Sequence, residues 1–289
     1  MIEFFFILSQ FFIIFFISSF NIFALFDKNK KQYNSSLPDN VALSIIVFLN
    51  FILLISFLNL SLKNIIFCYF IYLLIFIFVY FYRYKKVILL KNNYFFYFIL
   101  LFTTSSILFI EVANNLILGW DVQKFWIYKT INFFNGNSIT NLSDLPNPWY
   151  PYLGSLAWSF FWKLSLIEYE YSGRLYYVFI YLSSLLLVIK NLELSKINKF
   201  LIFIFLIILS HDYTSHSNWS IFSGYQEILI FSLTTFSIIY LYKLSLNNKN
   251  DELINILSIL LICNALVWIK HEGFLISLSL ILSIIIFFN

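Results

Sequence analysis

Charge is the scarcest property of this chain: only 11% of its 289 residues are Asp, Glu, Lys or Arg, while 61% are hydrophobic. A soluble globular domain has nearer a quarter charged and half apolar residues, so that class is excluded. The composition is that of an all-α polytopic membrane protein. Arginine is almost missing, occurring only at Arg83 and Arg174, and the other cations are lysines. Phe, Ile, Asn and Tyr are over-used, a bias that fits an AT-rich genome in which Phe and Ile exchange freely at lipid-facing positions. Cys68 and Cys263 both fall inside apolar runs without CxxC or Cys/His spacing, which excludes a disulfide framework and a structural zinc site and leaves them as packing residues. No repeat of 20 to 50 residues is visible. The net charge of +4 is what basic loops beside anionic lipid produce and gives no sign of nucleic acid binding.

Position also matters. No Gly, Trp or His occurs before Gly119, so residues for special turns, interfacial anchoring and proton transfer are confined to the second part. Residues 1–92 therefore read as N-terminal scaffold helices and 93–289 as the functional module, with an outer loop over 114–172. The first apolar run lacks a basic n-region and a following small-residue cleavage site, so it is expected to be a retained helix. The last apolar run reaches Asn289, which suits a short or truncated member of a longer family.

A helix needs about 20 apolar residues to cross the hydrocarbon layer. About nine spans are predicted, over 4–26, 41–62, 65–82, 94–113, 173–189, 198–212, 221–242, 253–270 and 273–288. Four basic clusters set the orientation: Lys28, Lys30 and Lys31; Arg83, Lys85, Lys86 and Lys91; Lys190, Lys196 and Lys199; and Lys243 with Lys249. Cations favour the cytoplasmic side, which places the segment after residue 114 on the outer face. The run from Trp149 to Leu166 would reverse the third cluster if it crossed, so it is predicted to lie in the outer interface, anchored by Trp158 and Trp162.

Asp121 opens a polar segment between apolar runs. On a helix, Lys124, Tyr128, Asn132 and Asn135 form a polar stripe along the residues that follow it. A carboxylate where the chain leaves the membrane can take a proton, and it can equally cap the helix by accepting backbone N–H groups. Pro146, Pro148 and Pro151 stiffen the approach to the second interfacial helix. Arg174 can grip a phosphate bidentately or pair with Glu170. His211, Asp212 and His216 are either ligands for a divalent metal or part of a hydrogen-bonded loop, and no DxD or HExxH accompanies them. Glu227 is expected inside or at the edge of the membrane, where a carboxylate at the centre costs about 2.5 to 3.5 kcal/mol and so favours an aqueous cavity. Lys270 and Glu272 flank His271 on the outer side, where a cation breaks the charge trend. They form either a polar hairpin closed by Gly273 or a site for an anionic headgroup.

Five pieces occur in order over about residues 94–280: GWDVQKFWIYKTINFFNGN, NPWYPYLGSLAWSFFWKL, YSGRLYYVFIYL, GYQEILIFSLTTF and WIKHEGFLI. In that order they resemble the GT-C superfamily of membrane glycosyltransferases, near the protein O-mannosyltransferase and aminoarabinose transferase type (glycosyltransferase family 39-like). The resemblance implies Asp121 as catalytic base, interfacial helices at 122–135 and 149–166, and family positions at Glu227, Lys270 and Glu272. It departs from the family in lacking the expected C-terminal spans and outer domain, in carrying extra N-terminal spans, and in the spacing of Pro148 and Pro151. The implied reaction moves a sugar from a polyprenyl-phosphate donor to a lipid, glycan or protein acceptor on the periplasmic face of a bacterial inner membrane. Arg174 or Lys270 would stabilise the departing phosphate. The competing classes are a lipid-linked sugar flippase or small-solute transporter with Glu227 and Lys270 along its path, and a noncatalytic subunit of an envelope complex.

Overall fold

The computed structural model describes residues 2–20, 36–84, 92–215, 222–246 and 252–288, and every regular element among them is a helix. These are α1 (Ile2–Ile17), α2 (Leu37–Ser56), α3 (Leu62–Tyr84), α4 (Asn92–Asn114), a π-helical turn (Val122–Trp126), α5 (Ile127–Phe134), a 3-10 turn (Ile139–Asp144), α6 (Leu153–Leu164), α7 (Tyr171–Asn191), α8 (Lys196–Ser215), α9 (Glu227–Ser245), α10 (Glu252–Ile269) and α11 (Glu272–Phe288). Six of them, α2, α3, α4, α7, α9 and α10, are long and apolar enough to cross a membrane, which makes this a multi-pass membrane protein. The expectation of about nine spans thus meets six among the described residues. The apolar stretches of α1 and α11, Phe4–Ile17 and Glu272–Ile286, are shorter than a full crossing, and α8 opens on Lys196 and Lys199.

The sequence of α7 is apolar all round, and the helix sits at the centre, almost wholly buried against α9, α4, α6 and α2. Its polar residues are accommodated locally: Ser183 and Ser184 donate to the carbonyls of Phe179 and Tyr181 at 2.7 Å. The opposite case is α3, which turns Phe67, Leu74, Ile75 and Phe78 outward, as lipid-facing positions require. Not all of the abundant Phe faces lipid. Phe48 is wholly buried, with Phe160, Phe161 and Tyr69 rings 5.0 to 5.2 Å away.

One end of the bundle is tied by charge. Asp39, in the first turn of α2, pairs with Lys190 at the end of α7 (3.1 Å) and Lys243 at the end of α9 (2.6 Å). Two of the basic clusters therefore share one end of the molecule. Lys28, Lys30, Lys31, Lys85, Lys86, Lys91 and Lys249 lie outside the described residues, as does the side chain of Arg83.

The helix expected in the outer interface is covered by protein along most of its length. Leu153 through Phe161 of α6 are all buried, with α5 on one side and α7 on the other. Its small residues explain this: Ser155 and Ser159 donate to the carbonyls of Trp126 (3.1 Å) and Thr130 (2.7 Å), stitching α6 to the segment above it. Trp158 is fully buried and donates its indole N–H to the Glu170 carbonyl at 2.9 Å, so it is a core residue rather than a membrane anchor. A Cβ on Gly173 would lie 2.3 Å from the Trp158 carbonyl oxygen, and one on Gly224 would lie 2.8 Å from its ring. Only Trp162 is partly exposed, stacked on Phe134 at 3.9 Å with its N–H on the Glu168 carbonyl (2.9 Å).

Candidate functional site

After α4 the chain runs without regular structure to Gly119, whose N–H donates to the Ser223 carbonyl at 3.1 Å. A Cβ on Gly119 would sit 2.4 Å from the Tyr225 ring, so glycine is what lets this strand of backbone lie against the turn before α9. Asp121 then enters a helical conformation (φ −61°, ψ −34°) and makes no side-chain capping bond. The cap expected from spacing does not form, because a residue already inside the helix cannot fold its carboxylate back onto the following N–H groups. The carboxylate is half-exposed beside the Tyr225 phenol. Burial holds the Tyr225 proton more tightly than usual, the negative charges of Asp121 and Glu227 add to this, and a backbone bond at Trp120 opposes it. Tyr225 thus keeps its proton in the field of two carboxylates.

The turn joining α10 to α11 supplies the cation. Lys270 Nζ lies 2.5 Å from Glu227 Oε1 and 3.4 Å from Glu272 Oε1. Its side chain is 14% exposed, against 52% and 62% for the two carboxylates, so a mostly covered ammonium is clamped by two open acids. Burial works against its charge, but the bonds and charges of Glu227 and Glu272 outweigh burial and raise its pKa. Glu227 is the first residue of α9 and so stands at the edge of a span, one of its two expected positions, where the helix dipole favours an acid. The span opens at Glu227 rather than at 221 because Gly224, at φ +95°, turns the chain just before the helix.

Beneath these charges a groove of about 430 Å³ runs between α9 and α11, lined by Ile230, Phe231, Thr234, Thr235, Ile238 and Ile276. Its head is ionic and its length is mainly apolar. A chain of rings runs from Trp120, next to Asp121, to His271, next to Lys270: Trp120 to Phe125 (6.3 Å), Phe125 stacked on Tyr150 (4.9 Å, 9°), and Tyr150 against His271 (4.9 Å).

The other predicted residues fall elsewhere. Arg174 is wholly buried, paired with Glu170 at 2.9 Å and donating to the Phe222 carbonyl at 3.3 Å. Of the two roles open to it, the ion pair forms, and Arg174 supports the 222–226 turn from inside. Burial raises the pKa of Glu170, and the Arg174 charge and hydrogen bond oppose that rise. Lys124 and Tyr128 are exposed on the outer side of the π turn and α5. Residues expected to form a loop at 211–215 continue α8 to Ser215; the side chains of His211 and Asp212, and all of His216, lie outside the described residues. Among the described residues no group of three or more His, Cys, Asp or Glu could hold a metal ion.

Lys129 was not singled out by sequence, yet it is completely buried and donates to the Tyr150 carbonyl and, at 3.5 Å, to that of Pro148. Burial lowers its pKa to about 8. The signal was present, since Val122, Trp126, Lys129 and Phe133 fall at spacings of four, three and four, a lysine in an apolar stripe. His271 was also passed over, although it completes the ring chain. Gln226 is a third such residue: it is buried and donates to the Tyr177 hydroxyl (2.9 Å), which donates to the Gly154 carbonyl (3.0 Å).

No protein-family model, no curated protein and no solved structure matches this chain.

Proposed function

We propose that this multi-pass protein is a GT-C-type glycosyltransferase of about nine crossings, with residues 93–289 as its catalytic module. It transfers a sugar from a polyprenyl-phosphate donor to an acceptor hydroxyl on the periplasmic face of a bacterial inner membrane. Asp121 is the base: it takes the acceptor proton as the oxygen bonds to the anomeric carbon, while the bond from that carbon to the phosphate oxygen breaks and its electron pair leaves with the lipid phosphate. Lys270 meets that phosphate by exchanging Glu272, its longer and more exposed contact, for the incoming oxygen. Arg174 carries no phosphate and acts by holding the turn before α9.

The observation that carries this reading is the pairing of an uncapped, half-exposed Asp121 with an ammonium at the head of an apolar groove on the same end of the bundle. A lipid-linked donor needs that combination: hydrocarbon contact along its chain and a cation at its phosphate. The test is transfer from radiolabelled polyprenyl-phosphate sugars by the purified chain in lipid vesicles. Asp121→Asn is expected to reduce product formation by a factor of at least roughly 100 while leaving membrane insertion unchanged. Full activity in Asp121→Asn would remove the assignment.

A further inference from the structure

The outward side of α10 carries a regular seam. Leu253 (68% exposed), Leu257 (39%) and Leu260 (44%) are followed by exposed Asn264, at spacings of four, three and four. At 100° per residue these four side chains fall within an arc of about 60°, the narrow stripe of a two-helix contact. The opposite side of α10, with Ser258, Ile259, Ile262 and Leu266, is buried against the rest of the bundle.

Asn264 is out of place on a lipid-facing seam. It lies five residues before the end of α10 at Ile269, about 8 Å along the axis, and so within the apolar layer. Its Nδ2 donates to Asn50 Oδ1 at 2.7 Å, and Asn50 in turn donates to the carbonyls of Leu261 (2.9 Å) and Ile46 (2.8 Å). Asn50 is thereby occupied. Among the described residues this is the one hydrogen bond of the Asn264 carboxamide, which keeps its own oxygen and a second N–H. Lipid offers neither donor nor acceptor, so those atoms favour a protein partner.

We infer that this seam joins two copies of the chain in a parallel pair, with Asn264 meeting Asn264 of the second copy. Three properties fit a second copy as the occupant. Two copies inserted with the same orientation bring the same residue to the same depth. A two-fold axis along the membrane normal makes the contact self-complementary. A carboxamide, both donor and acceptor, can satisfy an identical group with two reciprocal bonds. In the seven-residue repeat Leu253 and Leu260 take the d positions and Leu257 and Asn264 the a positions, where a single Asn sets register and favours two strands.

The test uses the full chain labelled with donor and acceptor fluorophores in phosphatidylcholine vesicles, with energy transfer followed as lipid is added. Wild type should self-associate. Asn264→Leu should weaken association by on the order of ten-fold, and Asn264→Gln should retain it. Because Asn264→Leu also removes the bond to Asn50, a second measurement keeps Asn264 intact: Leu260→Cys, in a background with Cys68→Ser and Cys263→Ser, should form a disulfide-linked dimer. Phe78→Cys, on the exposed face of α3, should not. The inference is overturned if wild type shows no energy transfer, if Asn264→Leu associates like wild type, if Phe78→Cys cross-links in place of Leu260→Cys, or if a different protein is what caps the seam.

Discussion

Lys129 offers the sharpest thermodynamic test of the folded arrangement. Its ammonium is wholly buried, among the described residues it meets only carbonyl oxygens, and its pKa falls from 10.5 to about 8. Each unit corresponds to about 1.4 kcal/mol, so keeping the charge in place at neutral pH costs about 3 kcal/mol. Below pH 8 both folded and unfolded chains hold the proton, and stability does not depend on this group. Between pH 8 and 10.5 the unfolded chain still holds a proton that the folded chain has released, so stability rises with pH. Lys129→Met removes that dependence. At pH 7 it relieves the charge but strands the Tyr150 and Pro148 carbonyls, at about 1 to 3 kcal/mol for each buried group left unpaired, so the net change there is small. The assay is thermal or denaturant unfolding in lipid nanodiscs, followed by tryptophan emission. The quantity read is the difference between wild type and Lys129→Met, which cancels the other groups titrating in that range. That difference should grow in favour of wild type by about 3 kcal/mol from pH 8 to 10.5. Parallel pH curves for the two proteins would refute the reasoning.

Two further outcomes follow from the packing around Trp158. Arg174→Met leaves the half-buried Glu170 without its cation and the Phe222 carbonyl without its donor, and should destabilise the protein by roughly 1 to 3 kcal/mol. Adding Glu170→Gln should recover part of that loss in a double-mutant cycle of unfolding energies, whereas simple additivity of the two single changes would contradict the pairing. Gly173→Ala puts a methyl group 2.3 Å from the Trp158 carbonyl oxygen, which is backbone and cannot swing away. A loss of about 1 to 3 kcal/mol is expected, together with a shift in tryptophan emission; an unchanged unfolding midpoint would show that α6 and α7 sit further apart.

Hydrophobic run length made α2, α3, α4, α7, α9 and α10 legible, because burial of apolar side chains and the thickness of the hydrocarbon layer constrain both sequence and structure. The shared end of Lys190 and Lys243 was legible for a similar reason, and Asp39 adds the counter-charge that holds them there. Apolar content does not say whether a segment faces lipid or protein, and there the sequence misled. Trp158 has the composition of an interfacial anchor, and what makes it a core residue is the pair of distant glycines, Gly173 and Gly224, that leave room for its ring. Lys129 was hidden because charge suggests a surface, although its position in an apolar stripe indicated otherwise. Asp121 was visible as an isolated carboxylate; its failure to cap required a backbone angle that no residue pattern specifies.

The clasp at Asp39 has a mechanical consequence. It anchors the last turn of α9 through Lys243, while the groove beside α11 has its ionic head at the first turn, on Glu227. A 19-residue helix is about 28 Å long, so a tilt of about 5° about the clasp displaces Glu227 by about 2.5 Å and the Lys243 end hardly at all. A change at the clasp would therefore reach the groove with most of the length of α9 as its lever arm.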